Sequence, residues 1–471
     1  MSRKAVWIIL SSVVIINTMG LYALAQDEDS DKREVLEKEL AGKMRKPAVI
    51  RIKEKIEKLI PHPVLPAGEI FIREVRVVGS TLLPETEIDE ITSSYQNVKI
   101  AGKKLQQCAD RITSTYWHRG YLTSYAYINT QRLKENILEI QVVEGRVGKI
   151  KIKGNTYFTE DLLKRKFGVR EGDFFDANII KKNLYEINKH PDRKVRFSIE
   201  TTEQQGIVNI VLTVKDRLPV HLTFDADNYG SHYIFYKRYR TVLNLNNLSG
   251  RDDSLQLKLQ YAESNAHKLY DIDYRIPLNN DLLFQLYVLP YKMEDYGHER
   301  DDTDMEKRAR KWYFYFYKDL IDRPNCQLTA NIGFIYMDIF WYAYYRNVRS
   351  DRFRILTGGF DLVRKDKKGT TVLSQIWEVG IPRLWGGSTA KDPTVSVLGA
   401  GGEYKKFELI AARRQRLFWD VDFLIKTHLQ LSSHTITGVN AFSVGGFFGI
   451  IDMRGYPRAQ YYGDNGISVN T

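Results

Sequence analysis

The stretch WDVDFLIKTHLQL, residues 419–431, decides the fold, because apolar and polar side chains alternate along it. A period of two puts alternate side chains on opposite faces of a β-strand. One face is apolar and carries Val421, Phe423, Ile425, Leu429 and Leu431. The other face is polar and carries Asp420, Asp422, Lys426, His428 and Gln430.

The same alternation recurs through the C-terminal half of the chain, for example in LQLKLQY (255–261) and YDIDYRI (270–276). We count about eleven such segments between Leu218 and Gly445. They are predicted to begin near Val220, Arg238, Ser254, Lys268, Asp281, Lys311, Cys326, Arg354, Thr370, Glu403 and Leu417.

Strands that are charged on one face and hydrocarbon on the other predict an antiparallel transmembrane β-barrel with a wet lumen. A soluble sandwich also alternates, but its inward face is apolar and its strands are commonly shorter. A barrel pairs every backbone group, as the bilayer core demands. The 29 Tyr and 21 Phe residues fit interfacial girdles of such a barrel.

Residues 1–25 predict a cleaved signal peptide, with Arg3 and Lys4 before an apolar run and an Ala-x-Ala site at Ala23–Ala25. The alternative is a membrane anchor, but the apolar core is short for a full span. Residues 26–67 are expected to form a charged helix and a Pro-containing linker. The formal charge of +12 shows no basic cluster with interleaved aromatics, so it indicates solvated faces and no nucleic acid partner.

An internal repeat lies between the linker and the barrel. REVRVVGSTLLPE (73–85) aligns with GKIKIKGNTYFTE (148–160), a period of 75 residues. Each copy begins with an alternating strand that ends at a glycine, Gly79 or Gly154, where a positive φ is readily adopted. Two helical segments and two further strands follow, which predicts the order β-α-α-β-β twice.

That order, with Gly120-Tyr121 before the second strand, resembles the POTRA (polypeptide-transport-associated) domain. A three-stranded sheet with helices on one face has an edge that can accept an extended peptide. The resemblance implies that an unfolded exported polypeptide is held there; the alternative is a structural spacer. The candidate edge residues are Val195, Phe197, Ile199, Tyr125 and Tyr127.

The whole chain after Gln26 resembles the outer-membrane transporters of two-partner secretion (TpsB; the ShlB/FhaC haemolysin-activator type) within the BamA-like POTRA-barrel superfamily. The similar motifs are FDADNYGS (224–231), FSVGGFFGIIDMRGYP (442–457) and GDNG (463–466). The implied domains are a signal peptide (1–25), a charged helix and linker (26–67), two POTRA domains (68–145 and 146–217) and a barrel (218–471).

The resemblance implies a role for Met453, Arg454, Gly455 and Tyr456. In the family, the arginine of this loop folds back into the lumen and meets an acidic residue on the wall. A guanidinium can form a bidentate pair that fixes the loop. The resemblance also implies sixteen strands, whereas the twelfth strand would begin only at Thr471. We therefore expect a C-terminally truncated barrel, with the acidic partner beyond that residue.

The implied function is the secretion of an exoprotein (TpsA-like) from the periplasm through a barrel in the outer membrane of a Gram-negative-type bacterium. An insertase of the same superfamily and a passive pore are the alternatives. The sequence contains no GxSxG, HExxH or P-loop motif, so no catalytic motif indicates an enzyme. The His and Cys residues lack ligand spacing, so we expect no metal, no cofactor and no small-molecule substrate. The resemblance implies a lumen-plugging helix at residues 31–59, and a tether is the alternative.

Overall fold

The computed structural model describes residues 52, 54, 56–61, 63, 65, 68–227, 237–262, 267–295, 305–323, 325–418, 421–444 and 461–471. The chain divides into two compact units; one is Leu40–Leu218, and the other includes Pro219–Thr471. Within the described ranges, no helix combines the length and apolar character that a membrane span requires. The predicted signal peptide and most of the charged helix lie outside these ranges.

The first repeat is a three-stranded sheet covered by two helices. Its elements are β1 (Glu69–Ile72), β2 (Glu74–Val78), α1 (Glu85–Thr92), β3 (Val98–Ala101), α2 (Gly102–Arg119), β4 (Tyr125–Asn129) and β5 (Ile137–Val143). The strand order is β2-β5-β4, with β2 parallel to β5 and β4 antiparallel to it. Strands β1 and β3 form a separate pair, which adds to the predicted order.

The second repeat has the same topology. Its elements are β6 (Arg146–Lys153), α3 (Glu160–Phe167), α4 (Ala177–Asn188), β7 (Arg193–Thr201) and β8 (Ile207–Asp216). The strand order is β6-β8-β7, again with a parallel and an antiparallel pair. The apolar stripes of the second helices form the cores: Leu105, Cys108 and Ile112 are fully buried on α2, as are Ile180 and Ile187 on α4.

The two repeats share a glycine for a geometric reason. Gly79 and Gly154 have φ of +88° and +84°, and a Cβ on either would lie 2.6 Å from a carbonyl oxygen of the third strand. An L-residue would therefore suffer both backbone strain and a clash at this point. The repeat in the sequence reflects this close approach of two strands.

In each repeat, a carboxylate at the end of the last strand, β5 or β8, holds the loop that follows the glycine. Glu144 accepts hydrogen bonds from the backbone of Thr81 (2.6 Å) and Leu82 (2.7 Å) and from the Tyr116 hydroxyl (2.7 Å). Burial raises the pKa of Glu144, but these hydrogen bonds outweigh it and leave the pKa below its ordinary value. In the second repeat Asp216 holds the corresponding loop, where its carboxylate accepts a hydrogen bond from Thr156 N–H at 2.9 Å.

The second unit contains a twelve-stranded antiparallel sheet in the order β9 to β19, with β22 next to β19. Its strands are β9 (Val220–Asp227), β10 (Arg238–Asn246), β11 (Ser254–Ala262), β12 (His267–Pro277), β13 (Leu282–Asp295), β14 (Met305–Arg323), β15 (Cys326–Ala343), β16 (Arg346–Asp366), β17 (Gly369–Gly380), β18 (Lys405–Arg416), β19 (Asp422–Ser432) and β22 (Gly466–Asn470). Two short strands, β20 (Phe442–Val444) and β21 (Tyr461–Gly463), pair with each other.

The faces of this sheet are inverted relative to a soluble protein. The side chain of Asp271 is buried at 6 % exposure, whereas the neighbouring Ile272 is 37 % exposed. His428 is likewise buried at 7 %, whereas Leu431 on the opposite face is 50 % exposed. We call the buried face, which carries both polar residues and a cluster of aromatic and aliphatic residues, the inner face, and the exposed apolar face the outer face. This inversion is the arrangement of a membrane barrel wall.

The eleven predicted segments correspond to β9–β19, but several predicted positions need correction. Strand β14 begins at Met305 rather than near Lys311, because its first residues are mostly charged, and β19 begins at Asp422 rather than near Leu417, which belongs to the loop after β18. Strand β16 begins at Arg346 rather than near Arg354. Its first residues are mostly charged or polar and show no apolar alternation, so the sequence pattern did not reveal them. The twelfth strand, which was predicted to begin only at Thr471, is already formed by Gly466–Asn470, because these residues pair with β19. Within the described residues, β9 and β22 are the edges of the sheet, so the sheet is open between them.

Candidate functional site

The candidate edge residues lie on β4 and β7, the outermost antiparallel strands of the two repeats. Tyr125 and Tyr127 belong to β4, and Val195, Phe197 and Ile199 belong to β7. Tyr125, Val195 and Ile199 are buried in one hydrophobic cluster, and the other two pack against it. The structure therefore brings all five together, with their side chains turned to a core. An added strand would meet main chain rather than these side chains.

A side chain of α4 shows which N–H and C=O groups of β7 point away from the sheet. Asn188 Oδ1 accepts a hydrogen bond from Val195 N–H at 2.6 Å, and Asn188 Nδ2 donates to Val195 O at 3.0 Å. Val195 therefore directs its main-chain groups away from β8. Because neighbours in an antiparallel pair alternate in direction, Phe197 also directs its N–H and C=O outward.

The corresponding residue of the first repeat is Thr113 on α2. Its hydroxyl accepts a hydrogen bond from Ala126 N–H at 2.9 Å. Ala126 and, by alternation, Ile128 therefore direct their main-chain groups outward from β4. Tyr125 and Tyr127 direct theirs toward β5. On β4, the groups that could pair with an added strand are thus not those of the two tyrosines.

Thr113 and Asn188 were missed in the sequence, although a signal was present. They lie 75 residues apart, the period of the repeat, and each follows a buried isoleucine, Ile112 or Ile187. A polar side chain beside the core face of a helix needs a partner. In both repeats this partner is the main chain of the edge strand, so each helix covers one residue of its edge.

The two repeats contact each other at Gly120. Its carbonyl accepts a hydrogen bond from Ala177 N–H at 2.9 Å, and Arg119 O accepts from Asn178 Nδ2 at 3.0 Å. Gly120 ends α2 with φ of +103°, and a Cβ there would lie 2.3 Å from Asn178 Nδ2. The Gly-Tyr sequence is therefore required at a helix end that is also an interface. The Tyr125 hydroxyl accepts from Gln205 Nε2 at 3.2 Å across the same interface.

The inner face of the sheet carries paired charges. Lys406 Nζ lies 3.1 Å from Glu378 and 3.4 Å from Glu408, and His428 Nε2 lies 2.8 Å from Glu408. All four side chains are at most 14 % exposed. Buried charges are costly unless paired in this way. The inner face is thus polar but internally compensated at this position.

Residues 433–442 lie against the inner face. Asn440 Nδ2 donates to the Tyr404 hydroxyl at 3.3 Å, and its carbonyl accepts from Gln430 Nε2 at 3.1 Å. The ring of Phe442 lies 4.8 Å from the ring of His428, centroid to centroid. This segment leads into β20, and β21 returns beside it. The predicted motif residues Met453, Arg454, Gly455 and Tyr456 lie outside the described residues.

Comparison with known proteins bears on both units. The family described as "POTRA domain, ShlB-type" matches residues 70–145, and that described as "Surface antigen variable number repeat", a POTRA family, matches residues 146–217. The outer membrane transporter CdiB of Escherichia coli strain 536 is 22 % identical over 443 residues, which cover 88 % of this chain and 72 % of that protein. CdiB of Dickeya dadantii is 29 % identical over 182 residues, 39 % of this chain and 32 % of that protein.

A solved structure of CdiB from Escherichia coli superposes with a TM-score of 0.66 at 20 % identity, covering 91 % of this chain and 84 % of the other. At this identity the superposition shows the fold. The repeat topology is that of POTRA domains, and the inverted sheet is that of the CdiB barrel. These observations agree with the POTRA matches and with the relatives along most of the chain. With two POTRA domains followed by a barrel sheet, the chain is therefore similar along most of its length to the CdiB outer membrane transporters.

Proposed function

We propose that the chain recognises an unfolded exoprotein in the periplasm through its POTRA domains and secretes it through the barrel. The observation that carries this proposal is the edge strand β7, on which Phe197 presents main-chain groups outward. An extended polypeptide can pair with such groups with little dependence on its sequence. The relatives named as outer membrane transporters support a transport role.

The partners in this proposal are the exoprotein and outer-membrane lipid, without nucleic acid, small-molecule substrate, metal or cofactor. The chain is proposed to transport and not to catalyse. We also keep the domain boundaries 26–67, 68–145, 146–217 and 218–471 as part of the proposal. The family matches at 70–145 and 146–217 support the middle two.

Arg454 is proposed to fix a loop inside the lumen by pairing with a wall carboxylate. Support comes from the flanking segments, because residues 433–442 already lie against the inner face and β20 pairs with β21. We expect Arg454→Ala to reduce secretion while assembly stays largely intact. Secretion at the original level would contradict this role, and Arg458→Ala, outside the motif, is the matched control.

The edge is tested with a proline on β7. Phe197→Pro removes the outward N–H, and proline is tolerated on an edge strand where no ladder hydrogen bond is lost. Phe197→Ala is the matched control, because it shortens the same side chain but keeps the N–H. The measurement is co-purification of the exoprotein with the full chain, together with circular dichroism.

We expect Phe197→Pro to lose most of the bound exoprotein and Phe197→Ala to retain it. Equal retention by both variants and the original chain would show that β7 does not pair with the exoprotein. Equal loss in both variants would assign binding to the side chain, and strand addition would then be wrong.

A further inference from the structure

Basic residues form a row on the outer face of three neighbouring strands. Lys268 on β12 is directly opposite Lys292 on β13, and Lys292 is directly opposite Arg308 on β14. The side chains share the outer face, because the residues between them, such as Leu269 and Tyr291, pack on the inner face. We call Lys268, Lys292 and Arg308 the basic row.

The basic row lies at the far end of the sheet, opposite the end at which the chain arrives from the POTRA domains. The chain enters the sheet at Val220, and strands run alternately away from that end and back. Strand β14 therefore starts at the far end with Met305 and returns to Arg323. In the proposed function the POTRA domains lie in the periplasm, so the far end of the sheet faces the outer leaflet.

The row marks one boundary of the apolar band. On the outer face of β14, Trp312, Phe314 and Phe316 lie between Arg310 and Lys318. The ten residue steps from Lys318 to Arg308 cover roughly 33 Å along the strand at about 3.3 Å per residue, which is about 25 Å in height for a strand tilted by about 40°. A barrel presents an apolar band about 25 Å tall, so the row lies at the level of lipid head groups.

On the neighbouring strands β11 and β10, tyrosines lie at the same level as the basic row, as expected at a membrane–water interface. Tyr261 on β11 is opposite Lys268, and Tyr239 on β10 is opposite Tyr261. The two tyrosine rings stack with centroids 5.3 Å apart. Aromatic girdles of this kind sit where acyl chains end and head groups begin. A ligand at the row would therefore have apolar protein surface directly below it.

Among the side chains that the structure describes here, positive charges outnumber negative charges. Glu306 contacts both Lys292 and Arg308, which offsets part of their charge. Two further exposed arginines, Arg310 and Arg352, lie on the same outer face one position nearer the apolar band. Lys268, Arg310 and Arg352 make no ion pair with a carboxylate that the structure describes.

Asp338, which lies between Arg310 and Arg352 in the strand register, does not offset them. Its carboxylate accepts from Arg354 at 2.9 Å and from the Tyr336 hydroxyl at 2.8 Å. The Arg354 side chain is buried at 1 % exposure, so this pair is closed to solvent. Like charges directly opposite each other on adjacent strands destabilise a sheet. An anion at the row would remove that cost.

We propose that the basic row binds the phosphate groups of lipid A in the outer leaflet. Guanidinium and ammonium groups are the usual ligands of phosphate, and arginine binds it in bidentate geometry. The apolar band below the row provides a surface for acyl chains, which a free phosphate ion does not need. The site therefore recognises a phosphorylated lipid held at the wall.

The test uses the full chain in detergent and three probes: bisphosphorylated lipid A, dephosphorylated lipid A and inorganic phosphate. The variant is Lys268→Gln/Lys292→Gln/Arg308→Gln, with binding measured by native mass spectrometry. Lys318→Gln is the matched control, because it removes a cation from the same face of β14 at the near end. Circular dichroism verifies that each variant keeps its strand content.

Each basic residue near an anionic surface contributes about 1 kcal/mol, or roughly a fivefold change in affinity. We expect the triple variant to bind bisphosphorylated lipid A at least about 20-fold more weakly, with Lys318→Gln unchanged. Dephosphorylated lipid A should bind equally weakly to all forms. Equal binding of the two lipids, or an unaffected triple variant, would overturn the proposal. Binding of inorganic phosphate as strong as that of the lipid would show an adventitious ion only.

Discussion

Replacing Asn188 by alanine should weaken the second POTRA domain and at the same time strengthen its binding of unfolded polypeptide. Asn188 makes two hydrogen bonds to Val195, at 2.6 and 3.0 Å, and so occupies the outward main-chain groups of that residue. Each bond contributes about 1 kcal/mol net, so the free energy of unfolding should fall by about 1–2 kcal/mol. The melting temperature of a unit of this size should drop by about 3–6 °C.

The same change exposes one N–H and one C=O on β7 to an incoming strand. Two additional hydrogen bonds would contribute about 2 kcal/mol, and ordering one more residue of the polypeptide would cost about 1 kcal/mol. The difference of about 1 kcal/mol corresponds to roughly fivefold tighter binding. The assay is fluorescence anisotropy with a labelled, reduced and carboxymethylated polypeptide and the purified full chain.

Asn183→Ala is the matched control. Asn183 lies on the same helix and donates to Phe167 O at 2.6 Å, away from the edge strand. It should lose stability by a similar amount without a gain in binding. If Asn188→Ala binds the polypeptide no more tightly than Asn183→Ala, β7 is not the binding edge, and the proposed role of the second POTRA domain would have to be abandoned.

Three further predictions test the POTRA core and the outer wall. The pKa of the Glu144 carboxyl is lower in the folded protein than in the unfolded chain. Its contribution to stability is therefore present above the unfolded pKa and is lost as the pH falls through the folded pKa. Glu144→Gln should make the free energy of unfolding, measured by urea unfolding, depend less on pH in the acid range, and an unchanged acid dependence would contradict this. Ile332→Arg, at an outer-face position 57 % exposed, should cost about 2–4 kcal/mol of insertion free energy in a lipid-vesicle folding assay, whereas Leu278→Arg at the near end of the sheet should cost less. Burial raises the pKa of the Cys108 thiol to about 12, so a maleimide at pH 8 should label the half-buried Cys326 first; equal labelling rates would show that the first POTRA domain opens readily.

Two periods in the sequence, the two-residue alternation and the 75-residue repeat, were sufficient to predict the architecture, because each has a direct physical origin. A period of two is the pleat of a strand, and the length of the alternating segments that carry Asp271 and His428 favoured a barrel wall over a soluble sandwich. The 75-residue repeat identified two copies of one domain, since Gly79 and Gly154 are each required by a strand contact. These inferences rest on local geometry, which the sequence specifies.

Site geometry was less accessible to the sequence, because it depends on which main-chain groups face outward. Tyr125 and Tyr127 were chosen as edge residues from their strand, yet their main-chain groups point to β5. A shift of one residue reverses that direction. Only the hydrogen bonds of Thr113 and Asn188, side chains of another element, reveal it.

The sequence by itself therefore determined the long strands, the helices, the repeat and the two faces of the sheet, because alternation and helical spacing act over a few residues. It did not predict the short strands β1, β3 and β20–β22. The tertiary structure alone decided the partners: Asn188 with Val195, Gly120 with Ala177, and the alignment of Lys268, Lys292 and Arg308 across three strands. Such partners lie on different elements, and their meeting depends on the register between strands and on the packing of helices. No local pattern encodes that register.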